Sequence, residues 1–176
     1  MQRSGKVVVV SHCLLNANAK VKPLALYPGV LCAALNSFIQ NGFGLIQLPC
    51  PETSYLGINR WGMSKEQYDH PNFRQHCRNI LIHTVNQIEA LSVSGCEITC
   101  VIGVDGSPSC GVNLTSSGLT GGVIKTFEDI EPQIKKSGSV KGSGVFMEEL
   151  KAMLQKRNIS LPFKAVDEHH PENLID

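Results

Sequence analysis

The hydrophobic positions change period along the chain, and the changes mark out alternating strands and helices. Val7-Val8-Val9-Val10 is an unbroken β-branched run, the pattern of a strand buried on both faces of a parallel sheet. It ends at Ser11-His12-Cys13 and gives way to a loop rich in Asn and Ala. From Pro28 to Gln40 the spacing becomes helical, with Leu31, Ala34, Leu35, Phe38 and Ile39 on one face. Pro28 suits the first turn of that helix and Asn41-Gly42 its stop. Phe43–Leu48 predicts a second strand, closed by Pro49-Cys50-Pro51-Glu52 and followed by an irregular stretch to Gly62. A long helix is expected from Asn72 to Ser92, where Ile80, Ile82, Val85, Ile88 and Leu91 carry the apolar pattern and Gly95 ends it. Ile98–Val104 predicts a third strand, ending at Asp105-Gly106-Ser107-Pro108-Ser109-Cys110-Gly111. Residues 111–122 read as a Gly/Ser/Thr-rich loop, and 123–142 as a short helix plus a mobile turn. Phe146–Arg157 has helical spacing through Met147, Leu150 and Leu154, Phe163–Val166 predicts a fourth strand, and the polar tail from Asp167 is expected on the surface.

The order β-α-β-α-β-loop-α-β implies an α/β fold: a Rossmann-like, open, mainly parallel sheet with helices on both faces and right-handed crossovers. The 176 residues fit one α/β domain spanning 1–176, without an internal repeat or a long linker. No apolar run approaches the roughly 20 residues of a membrane helix. The N-terminus lacks the apolar core and cleavage site of a signal peptide, so a cytoplasmic protein with no membrane partner is expected. With 16 Lys+Arg against 15 Asp+Glu there is no charge excess to attract a nucleic-acid polymer. The cluster of Lys125, Lys135, Lys136 and Lys141 reads as a solvated surface.

Cysteine usage changes this picture. The chain has 7 cysteines, an odd number without a secretion signal, which argues against a disulfide framework and for metal binding or catalysis. Cys13, Cys50 and Cys110 each lie just past the C-terminal end of a predicted strand. In a parallel sheet those ends share one edge, the edge where open α/β proteins bind ligands. Three converging thiolates suit an iron–sulfur cluster, zinc or copper(I). Their spacing forms neither the paired CxxC of a zinc ribbon nor the consecutive run of a ferredoxin. Pro49 and Pro51 restrain the backbone around Cys50, and Ser107-Pro108-Ser109 places hydroxyls and N–H groups beside Cys110. Cys32 and Cys100 are expected in the core, Cys96 at the opposite sheet edge, and Cys77 on the long helix after His76.

The stretches Ser11-His12-Cys13-Leu14-Leu15-Asn16, Leu48-Pro49-Cys50-Pro51-Glu52 and Gly106-Ser107-Pro108-Ser109-Cys110-Gly111, in this order, resemble the three signature segments of the thiouracil desulfidase (TudS-like) family. The resemblance covers the first two thirds of the chain, to Gly122. It implies a [4Fe–4S] cluster held by Cys13, Cys50 and Cys110, at the C-terminal strand edge. The fourth iron is left open to bind the sulfur of a thiolated small molecule such as a thiouracil-type base. Water replaces sulfur at carbon and hydrosulfide is released, without net electron transfer. Such chemistry needs a proton donor and a base for water. Glu52 is the first choice for acid–base work, Ser109 and Ser107 for hydrogen bonds to substrate or cluster, and Asp105 for positioning water or a ring N–H. His12 is a further candidate for proton transfer. Arg60 is a candidate for a polar or anionic substrate group, and Trp61 or Tyr55 for stacking on a planar base. Members of the family often carry Gly after Cys-Leu-Leu, then a Tyr-Asp stretch, and some have an additional C-terminal domain. Here Asn16-Ala17-Asn18-Ala19-Lys20 stands at that point, and the short chain is expected to be a compact branch. Two other readings stand beside desulfuration: a cluster or sulfur-carrier protein without turnover, and a zinc-binding domain.

Overall fold

A computed structural model describes residues 2–175. The chain forms β1 (Lys6–Val10), a one-turn helix α1 (His12–Leu15), a 3-10 turn (Ala17–Ala19), α2 (Cys32–Gln40), β2 (Gly44–Gln47), α3 (Pro51–Leu56), α4 (Lys65–Tyr68) and α5 (Pro71–Val93). It continues through β3 (Glu97–Val104), β4 (Leu114–Ser117), α6 (Phe127–Lys136), β5 (Gly138–Lys141), α7 (Val145–Gln155), β6 (Phe163–Val166) and β7 (Leu174–Ile175). The main sheet has the order β2-β1-β3-β6-β7. Its first four strands are parallel, and β7 runs antiparallel to β6. This is the α/β, Rossmann-like architecture that the pattern predicts.

The valine run explains why β1 lies inside the sheet. Val7 and Val9 enter one core cluster, and Val8 and Val10 the other. The first cluster is covered by α5 and α7 through Phe73, Leu81, Val85, Ile88, Phe146 and Leu150. The second is covered by α2 through Ala34 and Leu35. Burying each such large side chain contributes about 1.5–3 kcal/mol relative to exposure. The β1-to-β2 connection runs through α2 on one face, whereas the β2-to-β3 connection runs through α5 on the other. The winding therefore reverses between β1 and β3, and the carboxyl ends of those strands flank a crevice. No helix among the described residues is long and apolar enough to cross a membrane.

The structure differs from the pattern reading in four places. α2 starts at Cys32, not Pro28, with Leu31 as its N-cap. Cys32 is exposed rather than in the core, and Ile39 is exposed as well. These two residues are seven apart and so share one line of the helix, beside the stripe of Leu31, Ala34 and Leu35 rather than on it. The stretch after Cys50 contains α3, which is too short to show a period but opens with Pro51 in its first turn. The loop after Gly111 contains β4, paired antiparallel with β5; each strand has one apolar residue, Leu114 or Val140, and so no apolar alternation. The tail returns to the main sheet as β7.

Candidate functional site

Backbone hydrogen bonds draw the ends of three neighbouring strands together. The Ser11 N–H donates to the Ile102 carbonyl at 3.0 Å, joining the end of β1 to β3. The buried Ser11 hydroxyl donates to the same carbonyl at 3.1 Å. The Leu48 N–H donates to the Val10 carbonyl at 2.8 Å, joining β2 to β1. Helix α1 begins at once after β1 and carries Cys13; Cys50 is the N-cap of α3; Cys110 lies in the loop after β3.

The thiols share one electrostatic neighbourhood. Burial pushes the Cys13 thiol up to about 12; negative charge at Glu168 adds to this, Lys20 opposes it, and Cys50 and Glu52 add again. Burial likewise raises Cys110 well above the ordinary thiol range, and Cys13, Cys50 and Glu52 push it further, against the Ser109 hydroxyl. The Cys13 and Cys110 thiols resist ionisation on their own, whereas a coordinated metal deprotonates its thiol ligands. The all-sulfur donor set therefore fits an iron–sulfur cluster or another soft centre. Among the described residues, no three of His, Cys, Asp and Glu converge on a single-ion site. A cluster takes its thiolates on separate iron atoms and does not require that convergence.

Cys50 and Glu52 are placed by the same helix. The Thr53 N–H donates to Cys50 Sγ at 3.4 Å, and the sulfur lies 3.2 Å from the Thr53 hydroxyl. Two residues further, Glu52 is buried and receives three donors. The Ser109 hydroxyl donates to Oε1 at 2.6 Å. Arg60 Nε donates to Oε2 at 3.0 Å, and the Tyr68 hydroxyl donates to it at 3.2 Å. Burial, then the Glu52 charge, raises the Tyr68 phenol far above its usual range, so it remains a donor.

The guanidinium of Arg60, with its side chain 3% exposed, also donates to the Ala19 carbonyl at 2.8 Å. It donates further to the Thr53 hydroxyl and the Gly57 carbonyl, both at 3.2 Å. Arg60, expected at a substrate group, thus ties α3 to the turn after α1.

The Cys110 loop is held chiefly by main chain. The Val104 N–H donates to the Cys110 carbonyl at 2.9 Å. At the start of α7, the Val145 and Phe146 N–H groups donate to the Pro108 and Ser109 carbonyls, both at 3.0 Å. These bonds satisfy helix-terminal donors that would otherwise lack partners. The approach requires glycine: a Cβ on Gly103 would lie 2.4 Å from the Cys110 carbonyl oxygen, and one on Gly144 2.4 Å from the Ser109 carbonyl. Ser107 Oγ accepts from the Cys110 N–H at 3.0 Å and the Ser109 N–H at 3.4 Å. Ser109 Oγ lies 3.7 Å from Cys110 Sγ. Asp105 Oδ1 accepts from the N–H groups of Val112, Asn113 and Leu114 at 3.0, 2.9 and 3.1 Å, fastening the loop beyond Cys110.

The remaining candidates are more dispersed. Trp61 is 87% exposed. Tyr55 packs on Phe73 and His76, with ring centroids 5.3 and 5.1 Å away. His12 has its imidazole lowered by burial, against a backbone hydrogen bond with Leu48. Cys77 and Cys100 are core residues, and Cys96 precedes β3 at the other end of the strand. Pattern reading gave no role to Tyr68, or to Lys20, Tyr27 and Glu168, which gather around Cys13. Two clefts lie away from the thiols. One of about 420 Å³ is lined by Asn113, Ser143, Met147 and Lys151, and one of about 290 Å³ by Lys65, Thr115 and Lys141.

The family model described as "Putative 2-thiouracil desulfurase" matches residues 6–121. The chain belongs to this family. The matched segment contains all three strand-end cysteines, together with Glu52, Arg60, Tyr68, Ser107 and Ser109, so the network around Glu52 lies wholly within the family region. The chain is also similar to a Methanocaldococcus jannaschii protein named "Uncharacterized protein MJ0003", with 28% identity over 171 residues, covering 97% of this chain and 89% of that one. No solved structure matches the chain.

Proposed function

We propose that the protein is a desulfurase that removes sulfur from a thiolated small molecule such as a thiouracil-type base, and that Cys13, Cys50 and Cys110 hold a [4Fe–4S] cluster for this work. The observation that carries the reading is the short Ser109–Glu52 hydrogen bond, buried beside the Cys110 sulfur. A domain that only stored metal has no need of an acid–base pair at that point. In the net reaction the carbon–sulfur bond is exchanged for a carbon–oxygen bond: water supplies the oxygen, hydrosulfide departs, and no electrons are gained or lost. When bound, a cluster with one iron free of protein ligands supplies a Lewis acid for the thiocarbonyl sulfur.

The protein's own residues supply the proton chemistry. Ser109 directs its single proton chiefly to Glu52 Oε1 at 2.6 Å, with the Cys110 sulfur a longer, second acceptor at 3.7 Å. Glu52 is the base that removes a proton from water, through Ser109 or directly, and returns it to the departing group. Arg60 and Tyr68 hold the carboxylate in one orientation and act through it. Ser107 and Asp105 shape the loop that presents Ser109. The exposed indole of Trp61 offers a face for a planar ring.

The test is anaerobic purification followed by iron and acid-labile sulfide analysis of wild type, Cys13→Ala, Cys50→Ala and Cys110→Ala. About four iron and four sulfide per chain are expected in wild type, lost in each variant. Sulfide release from 2-thiouracil and related thiolated bases then checks turnover. A full cluster without sulfide release from any thiolated base would replace catalysis by sulfur carriage; stoichiometric zinc in place of iron would remove the proposal.

A further inference from the structure

Glu168 stands two residues past the end of β6, at the same sheet edge as the three cysteines and beyond the segment shared with the family. Its carboxylate forms an ion pair with Lys20. Its other oxygen lies 2.7 Å from the Tyr27 hydroxyl, which in turn lies 3.1 Å from the Cys13 carbonyl. A phenol has one proton, so this bond is forked between the carboxylate and the Cys13 backbone. The Lys20 ammonium also sits 5.5 Å from the centre of the Tyr27 ring. The side chains of Lys20 and Glu168 are each 12% exposed.

A sequestered ion pair gives little net stability, because desolvating both charges offsets their attraction. Its position suggests a different use. The pair lies within electrostatic reach of the Cys13 sulfur, where a lone carboxylate would repel thiolates and a lone ammonium would attract them. Together the two charges cancel, and the carboxylate is left to orient Tyr27.

We infer that Lys20, Tyr27 and Glu168 form a charge-neutral clamp that positions Cys13, with the segment after β6 supplying the carboxylate. The inference rests on the reading that Cys13 is a cluster ligand. Tyr27 holds the first turn of α1 by its backbone, Glu168 holds Tyr27, and Lys20 cancels the charge that Glu168 brings. All three are positioning residues: they act on a ligand from behind, as partners of metal ligands do.

The experiment uses the anaerobic, cluster-loaded protein and the variants Glu168→Gln, Lys20→Met, Tyr27→Phe and the double variant Lys20→Met/Glu168→Gln. Two quantities are read: the rate of iron loss to a chelator and the cluster midpoint potential by spectroscopically monitored titration. Glu168→Gln and Tyr27→Phe are expected to lose iron about 10- to 100-fold faster, the usual effect of removing a partner behind a metal ligand. The potential is expected to rise in Glu168→Gln, fall in Lys20→Met, return toward wild type in the double variant and stay near wild type in Tyr27→Phe. Unmoved potentials, or shifts of the same sign in Glu168→Gln and Lys20→Met, overturn the charge-neutral clamp, as does iron loss at the wild-type rate.

Hydrogen exchange of the metal-free protein separates this inference from the cluster reading. Faster exchange of amides 12–20 in Glu168→Ala, with residues 105–111 unchanged, supports the clamp even where wild type takes up no cluster. Unchanged exchange at 12–20 removes it.

Discussion

Cys110 and Cys13 follow adjacent strands yet differ in emphasis: the Cys110 loop leans mostly on main chain, whereas the Cys13 turn adds a side-chain network to its main-chain bonds. The Cys110 loop is fixed by backbone hydrogen bonds to β3 and to the start of α7, with Gly103 and Gly144 allowing the close approach. Cys13 sits on a one-turn helix steadied by the side chains of Tyr27, Lys20 and Glu168. Main-chain support is rigid and indifferent to most side-chain changes, but it fails wherever a Cβ must fit. Side-chain support can be altered one charge at a time. Glu52 spans the difference, since it rides on the helix that Cys50 caps and receives its shortest hydrogen bond from the Cys110 loop.

The largest effect is expected where that bridge is chemical. Glu52→Gln keeps the size of the side chain and removes the base. Sulfide release from a thiolated base should fall by about 10²–10⁴-fold while iron content stays at the wild-type level. A small loss of rate at full iron content would make Glu52 a structural residue only.

Next comes the bridge as a structural pair. Arg60→Met leaves the Glu52 carboxylate buried without its cation, and denaturant unfolding should show a loss of about 3–5 kcal/mol. Adding Glu52→Gln to Arg60→Met should recover part of that loss, because the stranded charge disappears.

Gly144→Ala attacks the main-chain arm alone. The new methyl group meets the Ser109 carbonyl, which belongs to a backbone that cannot swing aside. A loss of about 1–3 kcal/mol is expected in the same measurement, the usual cost of overpacking. Gly29→Ala, where the added Cβ meets nothing within 4 Å, serves as its control.

The smallest effect lies away from both arms. Glu66 is held down to about 2: burial opposes the shift, but hydrogen bonds from the Ser117 and Ser64 hydroxyls and from the Gly118 N–H outweigh it. Its folded-state value is below its unfolded one. The stabilisation is therefore fully present above about pH 4.5 and lost as pH falls toward 2. Because Glu66 is exposed, solvent screening reduces the contribution. Glu66→Gln should flatten the acid limb of the stability curve between those pH values, with little effect at neutral pH.

Much of the fold was legible because its signals are local. The run Val7–Val10, the long apolar stripe of α5 and the turn residues after each strand carry enough information to order the parallel strands. Three cysteines immediately after three strands then point to one sheet edge, and Glu52 and Ser109 are named by their nearness in sequence to Cys50 and Cys110. Short elements stayed hidden. Six residues of α3 show no period, and β4 and β5, separated by α6, each carry a single apolar residue, Leu114 and Val140. The pattern puts Cys32 on the apolar face, but it lies in line with the exposed Ile39, beside the stripe of Leu31, Ala34 and Leu35.

By itself, then, the sequence determined the alternation of elements, the parallel sheet and the edge at which the thiols gather, since each follows from backbone propensity and hydrophobic period within a few residues. The tertiary structure alone decided which side chains meet there. Lys20 and Glu168 are 148 positions apart, and Glu52 and Ser109 are 57 apart. No local pattern encodes such pairs, because their meeting depends on the sheet order and on the reversal of winding between β1 and β3, which bring the ends of separate strands to one crevice.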